Sequence, residues 1–343
     1  MAQNRLIEQM KILRYFLFPV VPIYFVVTWL RNKLYDLGIK KSTSYNVPVI
    51  CVGNLSVGGT GKSPMIEYLI RLLKPDHHIA TLSRGYKRQT EGFVMADESA
   101  TALSIGDEPF QFYRKFKDII VSVDANRVHG MAQLLALKNP PEIVLLDDAY
   151  QHRRVKAGFN ILLTAFDDLY TDDILLPTGN LREPRAGARR ADIIVVTKCP
   201  ENLADDEKRI IKEKINPLEG QEVFFGHIAY SQSIRNTKEH LNLETLKSQS
   251  FTLVTGIANP KPLVEHLKLM GLQFEHLKFK DHHDFTENDL NILKQKPMIV
   301  TTEKDMVRLQ PHFNNQEALY YLPIEIKIDR RKEFDGLISR FVK

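Results

Sequence analysis

A glycine-rich turn between two apolar runs constrains this chain more than any other feature. "VPVICVGNL" is continuously apolar, as a strand buried on both faces must be. "SVGGTGKSP", Ser56 to Pro64, follows it, and "MIEYLIRLLK" then repeats its apolar residues at helical spacing. A strand, a tight loop and a helix in that order make one arm of a parallel sheet, because parallel neighbours need a crossover. Gly58, Gly59 and Gly61 let backbone N–H groups turn toward an anion, and the helix starting near Lys62 adds its positive end. The predicted nucleotide-binding loop is therefore Val57, Gly58, Gly59, Thr60, Gly61, Lys62, Ser63 and Pro64. Lys62 reaches for the β- and γ-phosphates of ATP and the Ser63 hydroxyl ligates Mg²⁺. The strict pattern, G-x-x-x-x-G-K-[ST], has a glycine where this chain has Ser56. The competing reading is an ordinary glycine-rich turn, which leaves the Lys-Ser pair at the right offset unexplained.

Similar apolar runs recur: "IATLS", "IIVSV", "EIVLLDD", "NILLTAF" and "DIIVVTK", with helical patterns at 63–74, 107–117 and 126–138. This alternation predicts an α/β fold, a P-loop NTPase-like, mostly parallel sheet with helices on both faces. Its sites gather at the carboxyl ends of the strands. A second set, "EVFFGHI", "FTLVTGIA", "FEHLKF", "MIVTTEKD" and "ALYYLPIEIKI", is interspersed with helical runs near 201–215, 260–270 and 286–296. The expected organisation is an amino-terminal segment over 1–40, a P-loop domain over 41–155 and a smaller α/β domain over 156–325. A carboxy-terminal helix at about 326–343 can pack back on the P-loop domain. "NILLTAF" and "DIIVVTK" suit either sheet.

Charge locates a further feature. The formal net charge is +5, and residues 1–45 alone hold seven lysines and arginines against Glu8 and Asp36. The remainder is close to neutral, which argues against a nucleic-acid-binding surface. Within the basic segment lies "YFLFPVVPIYFVVTWL", uncharged and aromatic. At about 16 residues it is short of the ~20 that a spanning helix needs, and Pro19 and Pro22 are expected to kink it. No small-residue cleavage site follows. The reading is a monotopic anchor in one leaflet, its basic flanks on anionic headgroups; the alternative is a buried core helix. Cys51 and Cys199 are too few and too distant for a disulfide framework or a zinc site.

"EIVLLDDAYQHR" ends a buried strand in Asp147 and Asp148, the form in which an apolar strand delivers carboxylates to a Mg²⁺ shell. Together with the loop upstream it makes a strong pair.

At this point the ordered set "VGNLSVGGTGKSP", "LSRGYKR", "GDEP", "DANRVHG", "LDDAYQHR", "LPTGNLREP", "TGIANP", "DHHDFT" and "TTEKD" resembles the tetraacyldisaccharide 4′-kinases of lipid A biosynthesis in Gram-negative bacteria. The resemblance runs from position 52 to 305, with Ala149 where that family commonly has glycine. It implies transfer of the ATP γ-phosphoryl group to the 4′-hydroxyl of a tetraacylated glucosamine disaccharide 1-phosphate at the cytoplasmic face of the inner membrane. It also implies that Asp107 is the general base and that His282 pairs with it. Without the resemblance, an N-cap aspartate with an acidic first turn is the favoured reading of Asp107. Taken as coming from different halves of the chain, the two would meet in an interdomain cleft that closure assembles. Arg127 and Arg182 suit phosphates of ATP or lipid through their planar donor forks. Asn180 and Glu183 are candidates for sugar hydroxyls or the metal shell, and Glu108 joins the metal candidates Ser63, Asp147 and Asp148. Arg84, Tyr86, Gln151 and His152 complete the substrate-side set. For each arginine a surface ion pair is the alternative. Lys304 and Asp305 are expected to be structural or nucleotide-side. "TEND" predicts a capping box of Thr286 with Asp289 at a helix start. The rival class is a membrane-attached P-loop ATPase switch of the partition or targeting type, which a lysine in place of Val57 would favour.

Overall fold

The computed structural model describes residues 14–236, 238–313 and 318–343. The first thirteen residues of the predicted anchor segment, including Arg5, Glu8 and Lys11, lie outside them. The chain forms two compact units: Met1–Arg84 with Asp118–Ile228 and Ile326–Lys343, and Gly85–Lys117 with Ala229–Glu325.

The first unit is built on strands β1 (Val49–Asn54), β2 (Ile79–Ser83), β3 (Ile120–Val123), β4 (Ile143–Asp147), β5 (Phe159–Ala165), β6 (Ile193–Thr197) and β7 (Glu222–Tyr230). They lie in the order β7-β6-β5-β1-β4-β2-β3, with Ile324–Ile328 beyond β7. Every pairing from β7 to β3 is parallel. All residues of β1, β2, β4 and β6 are buried, which is why their sequences are apolar without alternation. β1 lies beside β4 with Val52 opposite Asp147, so adjacent strands deliver the glycine loop and the paired aspartates to one end of the sheet.

This corrects the expected boundary at 155. β5 pairs with β1, β6 with β5 and β7 with β6, so "NILLTAF", "DIIVVTK" and "EVFFGHI" all extend the P-loop sheet. Residues 85–117, expected in the P-loop domain, belong to the second unit. The carboxy-terminal helix Arg331–Val342 packs on the first unit: Phe334 is fully buried edge-on to Phe224, with ring centroids 5.2 Å apart, and to Tyr68, at 5.6 Å.

The amino-terminal apolar run forms a short 3₁₀ turn, Phe18–Val20, and a helix, Val21–Asp36. Pro19 and Pro22 occupy first-turn positions, so they start these elements rather than kink one. Only Thr28 of the helix is buried, while Phe16, Phe18, Ile23, Phe25, Val27 and Trp29 are exposed; the segment is no core helix. Among the described residues no helix is long and apolar enough to cross a membrane.

The second unit carries a six-stranded sheet in the order His240–Asn242, Ser233–Arg235, Leu319–Leu322, Ile299–Thr302, Phe251–Thr255, Phe274–Lys278. The last four strands are mutually parallel, and Ser233–Arg235 pairs antiparallel on both sides. Leu253, Leu267, Val300 and Tyr320 fill one core cluster, and Val254, Leu293, Ile299 and Leu309 another. The helix Asp107–Lys115 packs against the helix Glu303–Leu309 within this unit.

Candidate active site

In the first unit, β1 runs into the glycine loop and the helix Lys62–Leu73 leaves it. Met65, Ile66, Leu69, Ile70 and Leu73 are buried, so this apolar stripe fixes the helix with its N-terminus at the loop. Gly61, the residue before the helix, has φ +83° and Gly58 has φ +129°, backbone that side chains rarely adopt. Ser56 is buried and bridges Leu181, which fits an extended residue where the strict pattern has glycine. The loop is braced from outside: the Val57 N–H donates to the Asn180 carbonyl at 2.8 Å, and the Thr197 hydroxyl to the Thr60 carbonyl at 2.8 Å. The Thr60 hydroxyl itself is buried with no protein partner.

Lys62 Nζ lies 3.6 Å from Asp148 Oδ1, and Arg182 Nη1 donates to the same oxygen at 3.1 Å. Burial raises the Asp148 pKa, but the charges of Lys62 and Arg182 outweigh it and hold the carboxyl below its ordinary range. Asp148 has φ +49°, a strained conformation for a residue with a side chain, just after β4 ends at Asp147. Asp147 is buried and accepts from the Ser83 hydroxyl at 3.3 Å. One hydroxyl and two carboxylates are all hard oxygen donors, the kind Mg²⁺ takes alongside nucleotide phosphates and water. The donor set of Ser63, Asp147 and Asp148 therefore fits that ion. Glu108 lies in the second unit, in the first turn of the helix at Asp107.

The substrate-side candidates of the first unit divide in two. Arg127 opens the helix Arg127–Leu135 and is buried, with Nε lacking a partner and its pKa lowered by burial. His152 is pushed down to about 4, first by burial and then by the positive charges of Arg127, Arg154, Arg31 and Arg84. These groups make a cationic region suited to an anion. Glu183, by contrast, is fully engaged: it accepts from Asn32 at 2.6 Å, Gln151 at 3.0 Å and Arg190 at 2.8 Å. Asn180 accepts from Arg14 at 3.1 Å through its side chain. The Tyr24 hydroxyl donates to the Arg182 carbonyl at 2.9 Å. Arg14, Tyr24 and Asn32 thus tie the amino-terminal apolar segment to the stretch that braces the phosphate loop. No sequence signal singled them out.

In the second unit, His282 Nδ1 lies 3.3 Å from Asp107 Oδ2. Both residues belong to this one unit, which corrects their expected origin in different halves. The cause is the boundary: 85–117 travels with the carboxy-terminal sheet. Asp107 does not cap its helix; Gly106 occupies that position, and the carboxylate turns to His282 and Arg308 instead. Burial raises the Asp107 pKa, but hydrogen bonds from His282 and Arg308 and the Arg308 charge more than offset it and bring the carboxyl to about 2. His282 has φ +54° and its N–H donates to the Gly256 carbonyl at 3.1 Å. The Tyr86 and His282 rings meet in a T-shaped arrangement, with centroids 6.1 Å apart. His283 turns to Asp289 at 2.9 Å and stacks on Phe279, so the adjacent histidines have different partners. The capping box of Thr286 with Asp289 is present.

Lys304 and Asp305 open the helix Glu303–Leu309 rather than end a strand. Asp305 is structural: buried, it accepts from the Gly256 N–H at 2.8 Å and the Thr302 hydroxyl at 2.7 Å. Lys304 lies in the second unit beside His282. Arg308 was missed, although "EKDMVRL" puts Lys304 and Arg308 four apart on one helix face.

Known proteins add the chemistry of the whole. The family model described as tetraacyldisaccharide-1-P 4′-kinase, LpxK, matches residues 13–343. The tetraacyldisaccharide 4′-kinase of Flavobacterium johnsoniae is 53% identical over 338 residues, 97% of this chain and 98% of that protein. That of Bacteroides thetaiotaomicron is 45% identical over 352 residues, 95% of this chain and 93% of its own. A crystal structure of LpxK from Aquifex aeolicus in complex with ATP superposes with a TM-score of 0.79 at 31% identity, covering 96% of this chain and all of that one. With the match spanning both units and the glycine loop, the paired aspartates and the Asp107–His282 contact all in place, the chain belongs to the tetraacyldisaccharide-1-P 4′-kinase family.

Proposed function

We propose that this chain performs the reaction of its family, ATP-dependent phosphorylation of the 4′-hydroxyl of a tetraacylated glucosamine disaccharide 1-phosphate, in lipid A biosynthesis. The observation that carries the proposal is Lys62, 3.6 Å from Asp148 at the start of the helix that leaves the glycine loop, in a chain matched to the family over residues 13–343. The loop N–H groups and Lys62 bind the ATP phosphates. Ser63, Asp147 and Asp148 hold Mg²⁺, which when bound offsets charge on the transferring phosphoryl group. When the nucleotide arrives, Lys62 exchanges Asp148 for phosphate oxygen. Arg127, with its buried and unpartnered Nε, and Arg182 hold anionic groups of ATP or the lipid.

Asp107 is the general base. It takes the proton of the acceptor hydroxyl as that oxygen bonds to the γ-phosphorus and ADP leaves. Being ionised down to about pH 2, it is in its proton-accepting form at neutral pH. The exposed aromatic residues of 15–30, with Arg31 and Lys33 beside them, rest in one leaflet at the cytoplasmic face of the inner membrane, where a lipid acceptor is concentrated.

The test uses γ-labelled ATP, the lipid acceptor and Mg²⁺, with products separated by thin-layer chromatography. Label moving to the lipid supports the kinase. Label released only as inorganic phosphate, whether or not lipid is present, supports the ATPase-switch alternative.

A further inference from the structure

The helix Val21–Asp36 has two faces of different chemistry. Ile23, Val26, Val27 and Leu30 recur at helical spacing and are exposed. Tyr24, Thr28, Arg31 and Asn32 recur at the same spacing on another face, the one that holds the buried Thr28. This second face bonds to the substrate-side stretches. The Tyr24 hydroxyl donates to the Arg182 carbonyl at 2.9 Å, the Arg31 guanidinium donates to the Gln151 carbonyl, and Asn32 Nδ2 donates to Glu183 Oε2 at 2.6 Å. Arg153 Nη1 donates back to the Asn32 carbonyl at 2.9 Å. Glu183 carries the hold further: its Oε1 accepts from Gln151 Nε2 at 3.0 Å, and the same amide donates to the carbonyl of Asn54, the last residue of β1, at 2.8 Å. Arg182 donates its N–H to the Leu55 carbonyl at 2.7 Å and its guanidinium to Asp148 at 3.1 Å. Side chains on one face of the helix therefore reach, through Glu183 and Arg182, the carboxylate beside Lys62 and the strand end that opens the glycine loop. A helix that served as an anchor alone needs only its exposed apolar face.

We propose that Asn32 and Tyr24 are positioning residues that make the amino-terminal helix a wall of the active site as well as an anchor: Asn32 orients Gln151 through Glu183, and Tyr24 orients Arg182. This rests on the kinase reading of the site. Glu183 is a buried carboxylate, and Arg190 meets its two oxygens at 2.8 and 3.0 Å. Removing the Asn32 amide leaves that carboxylate in place with one acceptor position unmet, so the cost falls on the geometry of its other partners. Both residues act through their neighbours and touch neither nucleotide nor acceptor.

The test uses the full chain in mixed micelles of detergent and acceptor lipid, with the surface concentration of the lipid varied so that kcat and KM separate. Asn32→Leu should lower kcat by about 10- to 100-fold, the usual worth of an outer hydrogen-bond partner that orients a functional group. Tyr24→Phe should lower it by about 3- to 10-fold, since one neutral hydrogen bond is lost. Both variants should sediment with anionic vesicles as wild type does, because the exposed apolar face is intact. A kcat within about twofold of wild type in Tyr24→Phe, or in folded Asn32→Leu, refutes the proposal. Tyr24→Phe removes a single oxygen, so the test stands even where Asn32→Leu fails to fold. A raised KM for the lipid with kcat unchanged, or a loss that follows a loss of vesicle binding, also refutes it, since either is the signature of weakened anchoring. Failure of the kinase reading looks different: wild type itself then moves no label from ATP to the lipid.

Discussion

Replacing Asp107 with asparagine separates two jobs of one carboxylate. Its pKa lies at about 2 against an ordinary 3.8, and each tenfold in a protonation equilibrium is worth about 1.4 kcal/mol. The ionised group thus contributes roughly 2 kcal/mol to the folded state at neutral pH. Because the folded pKa is depressed, this contribution is full above the unfolded value and disappears as pH falls from about 4 to about 2. Asp107→Asn should therefore be about 2 kcal/mol less stable in urea at pH 7, with the difference shrinking toward pH 2. Single-turnover phosphoryl transfer should fall by roughly 10²–10⁴-fold, the worth of general-base catalysis. ATP affinity should stay unchanged, because Lys62, Ser63, Asp147 and Asp148 all belong to the other unit. A variant that loses the expected stability yet transfers phosphate at the wild-type rate would refute the base assignment and leave Asp107 a structural partner of Arg308.

Lys62→Ala should abolish transfer, since the developing charge on the γ-phosphate loses its cation; a folded variant with near wild-type kcat would remove the loop from the mechanism. Asp107→Asn combined with His282→Ala should be little slower than the slower single variant, whereas independent action predicts multiplied losses. His152 has a folded pKa of about 4, so the unfolded chain binds its proton first and stability falls as pH drops from 6.5 toward 4. In His152→Gln that part of the pH dependence should vanish from urea titrations. Phe25→Ser with Trp29→Ser should cut sedimentation with anionic vesicles while leaving thermal melting in place, because both side chains are exposed; unchanged sedimentation would remove the apolar face from membrane attachment.

The first sheet was largely legible because a strand buried on both faces must be apolar throughout, and because Gly58, Gly61 and Lys62 carry strong local signals. The boundary was not. β5, β6 and β7 are no different in composition from strands of the second sheet, and their place is settled when β5 pairs with β1, far away in the chain, and β6 and β7 then add to β5 in turn. The placement of Gly85–Lys117 with Ala229–Glu325 is likewise a long-range choice, and it alone makes Asp107 and His282 members of one unit. Arg308 shows the middle case. Its helical offset from Lys304 is in the sequence, but its partner Asp107 lies 201 positions away. Glu183 was read as a group open to a sugar or metal, while its three donors come from positions 32, 151 and 190, which local pattern cannot foresee.

The central claim is that this chain phosphorylates one hydroxyl of a lipid disaccharide. The most direct measurement is the ³¹P NMR spectrum of the lipid product after incubation with ATP and Mg²⁺, read with proton–phosphorus correlation to the sugar ring. The predicted result is a second phosphomonoester coupled to the 4′ proton, with the 1-phosphate unchanged, and its absence with Lys62→Ala. A new diphosphate at position 1, a phosphate on another hydroxyl, or ADP formed with no change in the lipid would contradict the account.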